Sequence, residues 1–407
     1  MSKRCQVCGS RSCLQILDLG KQPICNKFIS SKTEFGSERL YPLDLVFCRK
    51  CKLVQLSYVP PAREVFAKNF NYLSGTDPDR VAYFGELAKH IIHKFDLKAD
   101  DFVLDIGSND GSLLKQFKNN GVNAVLGIDP APKPCKIANS FGVTTINSKF
   151  EHGIEPILAK TGNKIKVIMA LNVLAHTDTI HTFLNGIKKL LAGNEATFVS
   201  ISHYLQDMIE NNEYDTIYHE HARYYSLASL SYLFSKYGLY IYDAEKISLY
   251  GGSILVYAKN HRIKKTDRLK SLMKKERNLQ NIKAYRKFSN TVIKNRAILL
   301  KILSNLKREN KTIVGIGAPM KSSTLLNYCK IDNKTLKYVT ELNQLKIGTY
   351  TPGTHIKVVE ESSIFKDKPD ACLILSWNAS SRIIRTFKSR GYRGIFIIPI
   401  PKVKIVR

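Results

Sequence analysis

The 407-residue chain is 44% apolar and 24% charged, and its 63 Lys/Arg against 34 Asp/Glu leave a formal net charge of +29. That length exceeds one ordinary core, so two or three domains are expected. No run approaches the roughly 18 apolar residues of a membrane span, and the opening "MSKRCQVCGS" lacks the apolar core of a signal peptide, so a cytosolic protein is expected.

Such a charge points to nucleic acid, an anionic membrane surface or a phosphorylated substrate. It is unevenly placed. Residues 261–310 hold 16 Lys/Arg and 3 acidic residues, a net of +13, with neither Gly nor Pro and with apolar residues at helical spacing. The segment reads as helices linking two domains, with the lysines on a solvated face.

From the N-terminus, four of the nine cysteines form two pairs, Cys5-Gln-Val-Cys8 and Cys48-Arg-Lys-Cys51. The two-residue spacing turns both thiolates of a pair toward one ion, and two such knuckles make the closed S₄ set of structural zinc. A loop or small sheet must fill the 39 residues between them. After Pro60-Pro61 come a loop and a helix, then "DFVLDIGSNDGSLLKQF", a buried strand, a glycine turn at Gly107 and Gly111, and a helix start. "AVLGIDP" ends the next strand in Asp129, placed for ribose hydroxyls. A pyrophosphate would favour G-x-G-x-x-G. The turn G-S-N-D-G carries an acid instead, which suits a ligand with a cationic amino acid part, S-adenosylmethionine (SAM). "VIMALNVLAH", "ATFVSI" and "GGSILVYAK" continue the strands, and "KTIVGIGAPMKSSTLLNY" opens a second strand, glycine turn and helix, followed by "ACLILSW" and "RGIFIIPIP". The fold expected is α/β: a small zinc-binding domain over 1–61, a Rossmann-like SAM-binding domain over 62–260, a basic helical linker over 261–308 and a smaller Rossmann-like domain over 309–407. "DTIYHEHARYYS" sets Glu220 between His219 and His221. From the residues alone this is a metal site, a proton-transfer site or a polar loop.

The ordered set of both CxxC pairs, "VLDIGSNDGSLL", "NVLAH", "YHEHARYYSL", "YGGSILV", "GIGAPMKSSTLLNYC", "YTPGTHI" and "WN" resembles, over nearly the whole length, the SAM-dependent deoxysugar C-methyltransferases that carry an N-terminal zinc-binding domain. The resemblance implies methylation of a ring carbon, commonly C3, beside the ketone of a nucleotide-linked 4-keto-6-deoxyhexose. By its pattern His221 is the base, with Glu220 and Tyr218 beside it. Tyr72 and His176 would hydrogen-bond the sugar or the developing enolate, and Lys321, Ser322 and Asn378 would take the nucleotide sugar. Asp105, Gly107, Asn109, Gly111, Asp129 and Asn172 would hold SAM, and Cys5, Cys8, Cys48 and Cys51 zinc. A second reading of the C-terminal turn is a degenerate duplicate that only packs. Glu341 stands where the family's pattern leads to an aspartate. The rival function is an RNA methyltransferase with a zinc-binding accessory domain; the preferred reading involves no nucleic acid.

Overall fold

The interval between the cysteine pairs is filled by a hairpin: β1 (Cys13–Gln22) and β2 (Tyr41–Cys48) pair antiparallel from Cys13↔Cys48 to Gln22↔Tyr41. A short β3 (Val54–Leu56) follows the second cysteine pair and lies antiparallel to β2. The computed structural model describes residues 4–65, 73–152, 154–161, 164–192, 195–248 and 251–407. Tyr72 lies outside the described residues.

The apolar runs read as strands form the second sheet: β4 (Phe102–Ile106), β5 (Val125–Asp129), β6 (Thr145–Asn147), β7 (Ile165–Leu171) and β8 (Thr197–His203). After β8 a two-residue strand, β9 (Arg223–Tyr224), leaves this sheet and pairs with β3, completing a four-stranded sheet β1-β2-β3-β9. Two further strands, β10 (Tyr240–Ile247) and β11 (Ser253–Lys259), close the seven-stranded order β10-β11-β8-β7-β4-β5-β6. It is parallel from β6 to β8, while β11 runs antiparallel to β8 and β10 antiparallel to β11. The chain moves outward from β4 through β5 to β6 and then returns to place β7 on the other side of β4. The loops after β4 and β7 therefore part in opposite directions and open a crevice at the strand C-termini.

The third sheet repeats that device. From β12 (Ile313–Ile316) the chain moves out to β13 (Val339–Glu341) and β14 (Val358–Glu360), then places β15 (Ala371–Ile374) on the other side of β12, followed by β16 (Ile395–Ile398) and an antiparallel β17 (Lys404–Val406).

The basic segment is mostly one 27-residue helix, Ile282–Arg308, whose N-cap Asn281 accepts a hydrogen bond from the Lys283 amide. Tyr285, Phe288, Val292, Leu299 and Leu303 form its buried stripe and share one apolar core with Leu45 and Phe47 of the first sheet and Ile313 and Leu373 of the third. Lys283, Arg286, Lys287, Lys294 and Lys301 are exposed. Like charges at helical spacing cost only about 0.2–0.5 kcal/mol per pair. Each buried apolar side chain contributes about 1.5–3 kcal/mol, so burial decides the helix's place. No helix of the described residues is long and apolar enough to cross a membrane.

Candidate active site

The crevices of the second and third sheets open into one cavity of about 1670 Å³, which Asp105, Gly107, Asn109, Asp129, Asn172, His176, Tyr218, Glu220, His221, Lys321 and Asn378 all help to line. Sequence spacing alone does not bring the two glycine turns together; the shared core around the long helix does.

On the β4 side, Gly107 is left-handed (φ 75°), and a Cβ there would stand 2.6 Å from Val173 Cγ2. Asp129, at the tip of β5, accepts from the Asn109 amide (3.0 Å) and the Ala131 amide (2.8 Å) and keeps further lone pairs for hydroxyls. Asp105 is fully enclosed, and its Oδ1 has no hydrogen-bond partner among the described residues. Burial, and then the charge of Asp129, push its carboxyl well above the usual range. An α-ammonium entering the crevice would be the missing partner, so the residues fit SAM. One expected ligand does something else. Gly111 caps the helix Ser112–Asn119, and a Cβ on it would meet Ala138 Cβ at 2.9 Å, so the position serves packing; it is not among the cavity's lining residues. The Asn109 side-chain oxygen accepts the Ser74 amide (2.9 Å), and the residue, with its left-handed backbone, lines the cavity as expected.

A cation favours the ionised form of Asp105, so binding SAM should expel the proton held there. Affinity should be full where that carboxylate is ionised and should fall as pH drops through its raised pKa. Calorimetry on Asp105→Asn should show SAM binding about 10–100-fold weaker, in line with a lost charge-assisted hydrogen bond, and should lose that pH dependence. Unchanged affinity would remove Asp105 from the donor site.

On the opposite wall, the segment 214–222 carries the His-Glu-His motif. His221 Nδ1 lies 3.0 Å from the Thr216 carbonyl, and because a carbonyl only accepts, Nδ1 holds the hydrogen. Nε2 is then an open lone pair, to which the Tyr218 hydroxyl donates at 2.9 Å. Burial, then electrostatic coupling to the neighbouring rings of His176 and His203, push His221 well below its ordinary value. It is a neutral imidazole with a fixed tautomer, the form a base requires. His176 packs edge-on at 4.9 Å between ring centroids and is itself pushed down to about 4, mainly by burial. Burial raises Glu220 to about 7, against the opposing hydrogen bond of Asn26 and the Cys25 thiol 3.9 Å away. His219 points away from this group and bonds the Pro42 carbonyl at 3.2 Å.

The third sheet supplies the far wall. Lys321, near the start of the helix Met320–Cys329, sits 4.0 Å from the centroid of the Trp377 ring and 4.0 Å from Asp215 Oδ2, while the Trp377 indole N–H donates to that same oxygen at 2.6 Å. The cation is thus held at the cavity edge by a buried carboxylate absent from the sequence-derived site. Ser322 does not join it: its hydroxyl donates to the Pro319 carbonyl at 2.6 Å, and it is not a lining residue. Arg382 bonds Asp79 across the mouth, joining the third-sheet unit to the helix Pro78–Phe95. His203, at the end of β8, also lines the cavity.

Outside the cavity, the Sγ atoms of Cys5, Cys8, Cys48 and Cys51 all lie within 4.8 Å of one another, with Cys5–Cys51 at 3.3 Å and Cys8–Cys48 at 3.5 Å. Tetrahedral Zn–S bonds of about 2.3 Å require sulfurs about 3.8 Å apart. The set fits zinc and leaves no open position for chemistry.

Three family models match in the same order as the sheets: a zinc binding domain over residues 5–66, a methyltransferase domain over 80–244 and a C-methyltransferase C-terminal domain over 248–401. C-methyltransferase NovU of Streptomyces niveus is 30% identical over 409 residues, covering 99% of this chain and 96% of that protein. The chain belongs to the SAM-dependent C-methyltransferases. The solved structures similar to this C-methyltransferase include magnesium protoporphyrin IX methyltransferase of Synechocystis with bound SAM (16% identity, TM-score 0.33, 44% of this chain and 78% of that one). Another is a SAM-dependent methyltransferase of Aquifex aeolicus (18%, 0.34, 45% and 93%). In this C-methyltransferase the four-cysteine cluster lies within the segment that matches the zinc binding domain.

Proposed function

We propose that this C-methyltransferase acts on a nucleotide-linked 4-keto-6-deoxyhexose, at C3, with His221 as the base. The observation that carries this is the state of His221: half-buried, neutral, its Nδ1 committed to a carbonyl and its Nε2 reached by a phenol, inside a cavity that both glycine turns border. A carbon beside a ketone is acidic enough for such a base once the resulting enolate is stabilised. SAM supplies the electrophilic methyl group.

Size supports two ligands. A single small-molecule site occupies about 300–1,000 Å³, and this cavity of about 1670 Å³ leaves room for a nucleotide sugar beside the methyl donor. Lys321 at a helix N-terminus offers charge for a diphosphate on the third-sheet side. Asn378 lines the same wall.

The test is mass spectrometry of purified protein with SAM and a panel of 4-keto-6-deoxyhexose nucleotides, with RNA in parallel. A sugar product heavier by one methylene is expected. Methyl transfer to RNA without a sugar product would overturn the proposal and make the chain's positive charge the substrate-binding feature.

A further inference from the structure

His221 owes its tautomer to one carbonyl, that of Thr216, and the backbone around Thr216 is held by residues of another sheet. Asp215 and Thr216 belong to the short turn Tyr214–Thr216, and Ile217 follows it. On one side, the Ile217 carbonyl accepts the Thr324 hydroxyl at 2.6 Å, from the helix Met320–Cys329. On the other, Asp215 Oδ2 accepts the Trp377 indole N–H at 2.6 Å. Both donors come from the third-sheet unit, and they grip the chain one residue before and one residue after the carbonyl that orients the imidazole.

Asp215 is a costly residue to place there. Its side chain is fully enclosed, it is not among the cavity's lining residues, and its Oδ1 has no hydrogen-bond partner among the described residues. A buried ionic group with so few partners is less stable than well-packed apolar residues of similar volume, so stability does not account for it. What the carboxylate does have is a cation, Lys321 Nζ, at 4.0 Å. Burial raises the Asp215 carboxyl, and the charge of Lys321 opposes that rise. The lysine borders the cavity, and its ammonium makes no hydrogen bond among the described residues; it rests on the face of the Trp377 ring, 4.0 Å from the centroid. Three N–H donors are therefore free for an anion. Asp215 and an anion arriving from the cavity compete for one cation.

We propose that Asp215 is a positioning residue with two opposed effects: it pins the Thr216 carbonyl, and through it His221, to the third-sheet unit, and it weakens the hold of Lys321 on the anionic nucleotide part of the substrate. This rests on the nucleotide-sugar reading. Asp215 touches no substrate itself. Loose nucleotide binding is the counterpart of an aligned base. Interactions that tighten only the ground state do not speed the chemical step, whereas a reacting group displaced by about 1 Å loses about 10²-fold.

Calorimetry on the full chain with thymidine, uridine and guanosine 5′-diphosphates, run beside turnover of keto-sugar nucleotides, separates the two effects. Asp215→Leu removes both the charge and the acceptor for the indole. The diphosphate that binds wild-type protein should then bind about 5-fold tighter, the low end of coupling between linked sites, while kcat falls about 10²-fold. Asp215→Asn removes the charge but keeps the acceptor, so it should show the same tighter binding with a smaller loss of kcat. Trp377→Phe keeps the Asp215 charge and a ring face for Lys321 but loses the N–H; its kcat should fall at unchanged diphosphate affinity. SAM affinity should stay constant in all three. A residue that only supports the fold would weaken nucleotide binding, SAM binding and kcat together. Weaker diphosphate binding in Asp215→Asn would therefore overturn the inference, as would wild-type kcat in Trp377→Phe. If wild-type protein binds none of the diphosphates, the nucleotide reading fails and the inference with it, a different result from a failure confined to the variants.

Discussion

Replacing His221 with Gln should lower methyl transfer by about 10²–10⁴-fold, the range for loss of a positioned general base, while SAM binds as before. Gln preserves a polar side chain at the Thr216 carbonyl and the Tyr218 hydroxyl, the two partners of the imidazole, so the loop 214–222 has little reason to move. What Gln cannot do is accept a proton from carbon. Burial and the neighbouring rings of His176 and His203 keep His221 uncharged, so the proposed base is ready at neutral pH without first losing a proton. Measured kcat should carry the whole effect, with KM for the nucleotide sugar nearly constant. A variant that retains wild-type kcat would remove His221 from the chemistry.

The second large effect should come from zinc, through a route that runs straight to the same imidazole. The knuckle residue Gln6 accepts from Arg223 Nη1 at 2.7 Å through its side-chain oxygen, and its side-chain nitrogen donates to the Ala222 carbonyl at 3.5 Å. From the other knuckle, Cys51 leads into β3, where the Leu56 amide donates to the Ala222 carbonyl at 3.0 Å and Val54 pairs with Tyr224. Both cysteine pairs therefore grip the residues immediately after His221. Structural zinc contributes folding energy on the order of 10 kcal/mol, far more than those few hydrogen bonds could supply alone. Chelation should abolish methyl transfer, falling at least about 10²-fold if the base is displaced by an ångström, with a smaller change in SAM affinity because the β4 and β5 tips lie in a different sheet. Gln6→Ala, which keeps all four thiolates, should bind zinc normally and lose part of kcat. Full activity in a zinc-free, folded protein would show that the metal domain does not hold the base.

Local features of this chain were legible in its sequence because their physics is local. Two-residue cysteine spacing, an apolar strand feeding a glycine turn, and an acid at the following strand tip each declare themselves within about thirty residues. The structure adds what depends on distant parts meeting. Nothing in "ARYYS" announces a strand, since two residues have no periodicity, and β9 exists only because β3 offers it an edge. The family pattern offers Ser322 as a ligand, yet short polar side chains often bond nearby backbone, and its hydroxyl does so here, at the Pro319 carbonyl. His203 was overlooked although a signal was present: a histidine at the C-terminal end of an apolar strand, where ligand contacts gather in open α/β sheets. Its partner Glu213 comes from the turn after the next helix and has no spacing rule to betray it. The meeting of the two glycine turns in one cavity depends on packing around the long helix, which no local pattern encodes.

The β3–β9 pairing also dictates an order of events when the chain is made. Tyr224 follows its partner Val54 by 170 residues. At roughly 5–20 residues per second, a ribosome needs about 10–30 s to cover that distance. Through that interval the cysteine domain can close on its metal and form β1, β2 and β3, but β3 presents bare amides and carbonyls along one side. An open edge of this kind is a template for any other strand. The nascent N-terminal unit is thus complete in its metal site and incomplete in its sheet, and the segment that finally covers the edge is the one that carries His221, the proposed base. Assembly of the loop that bears His221 and protection of the nascent sheet are the same event, so an error in one is an error in both.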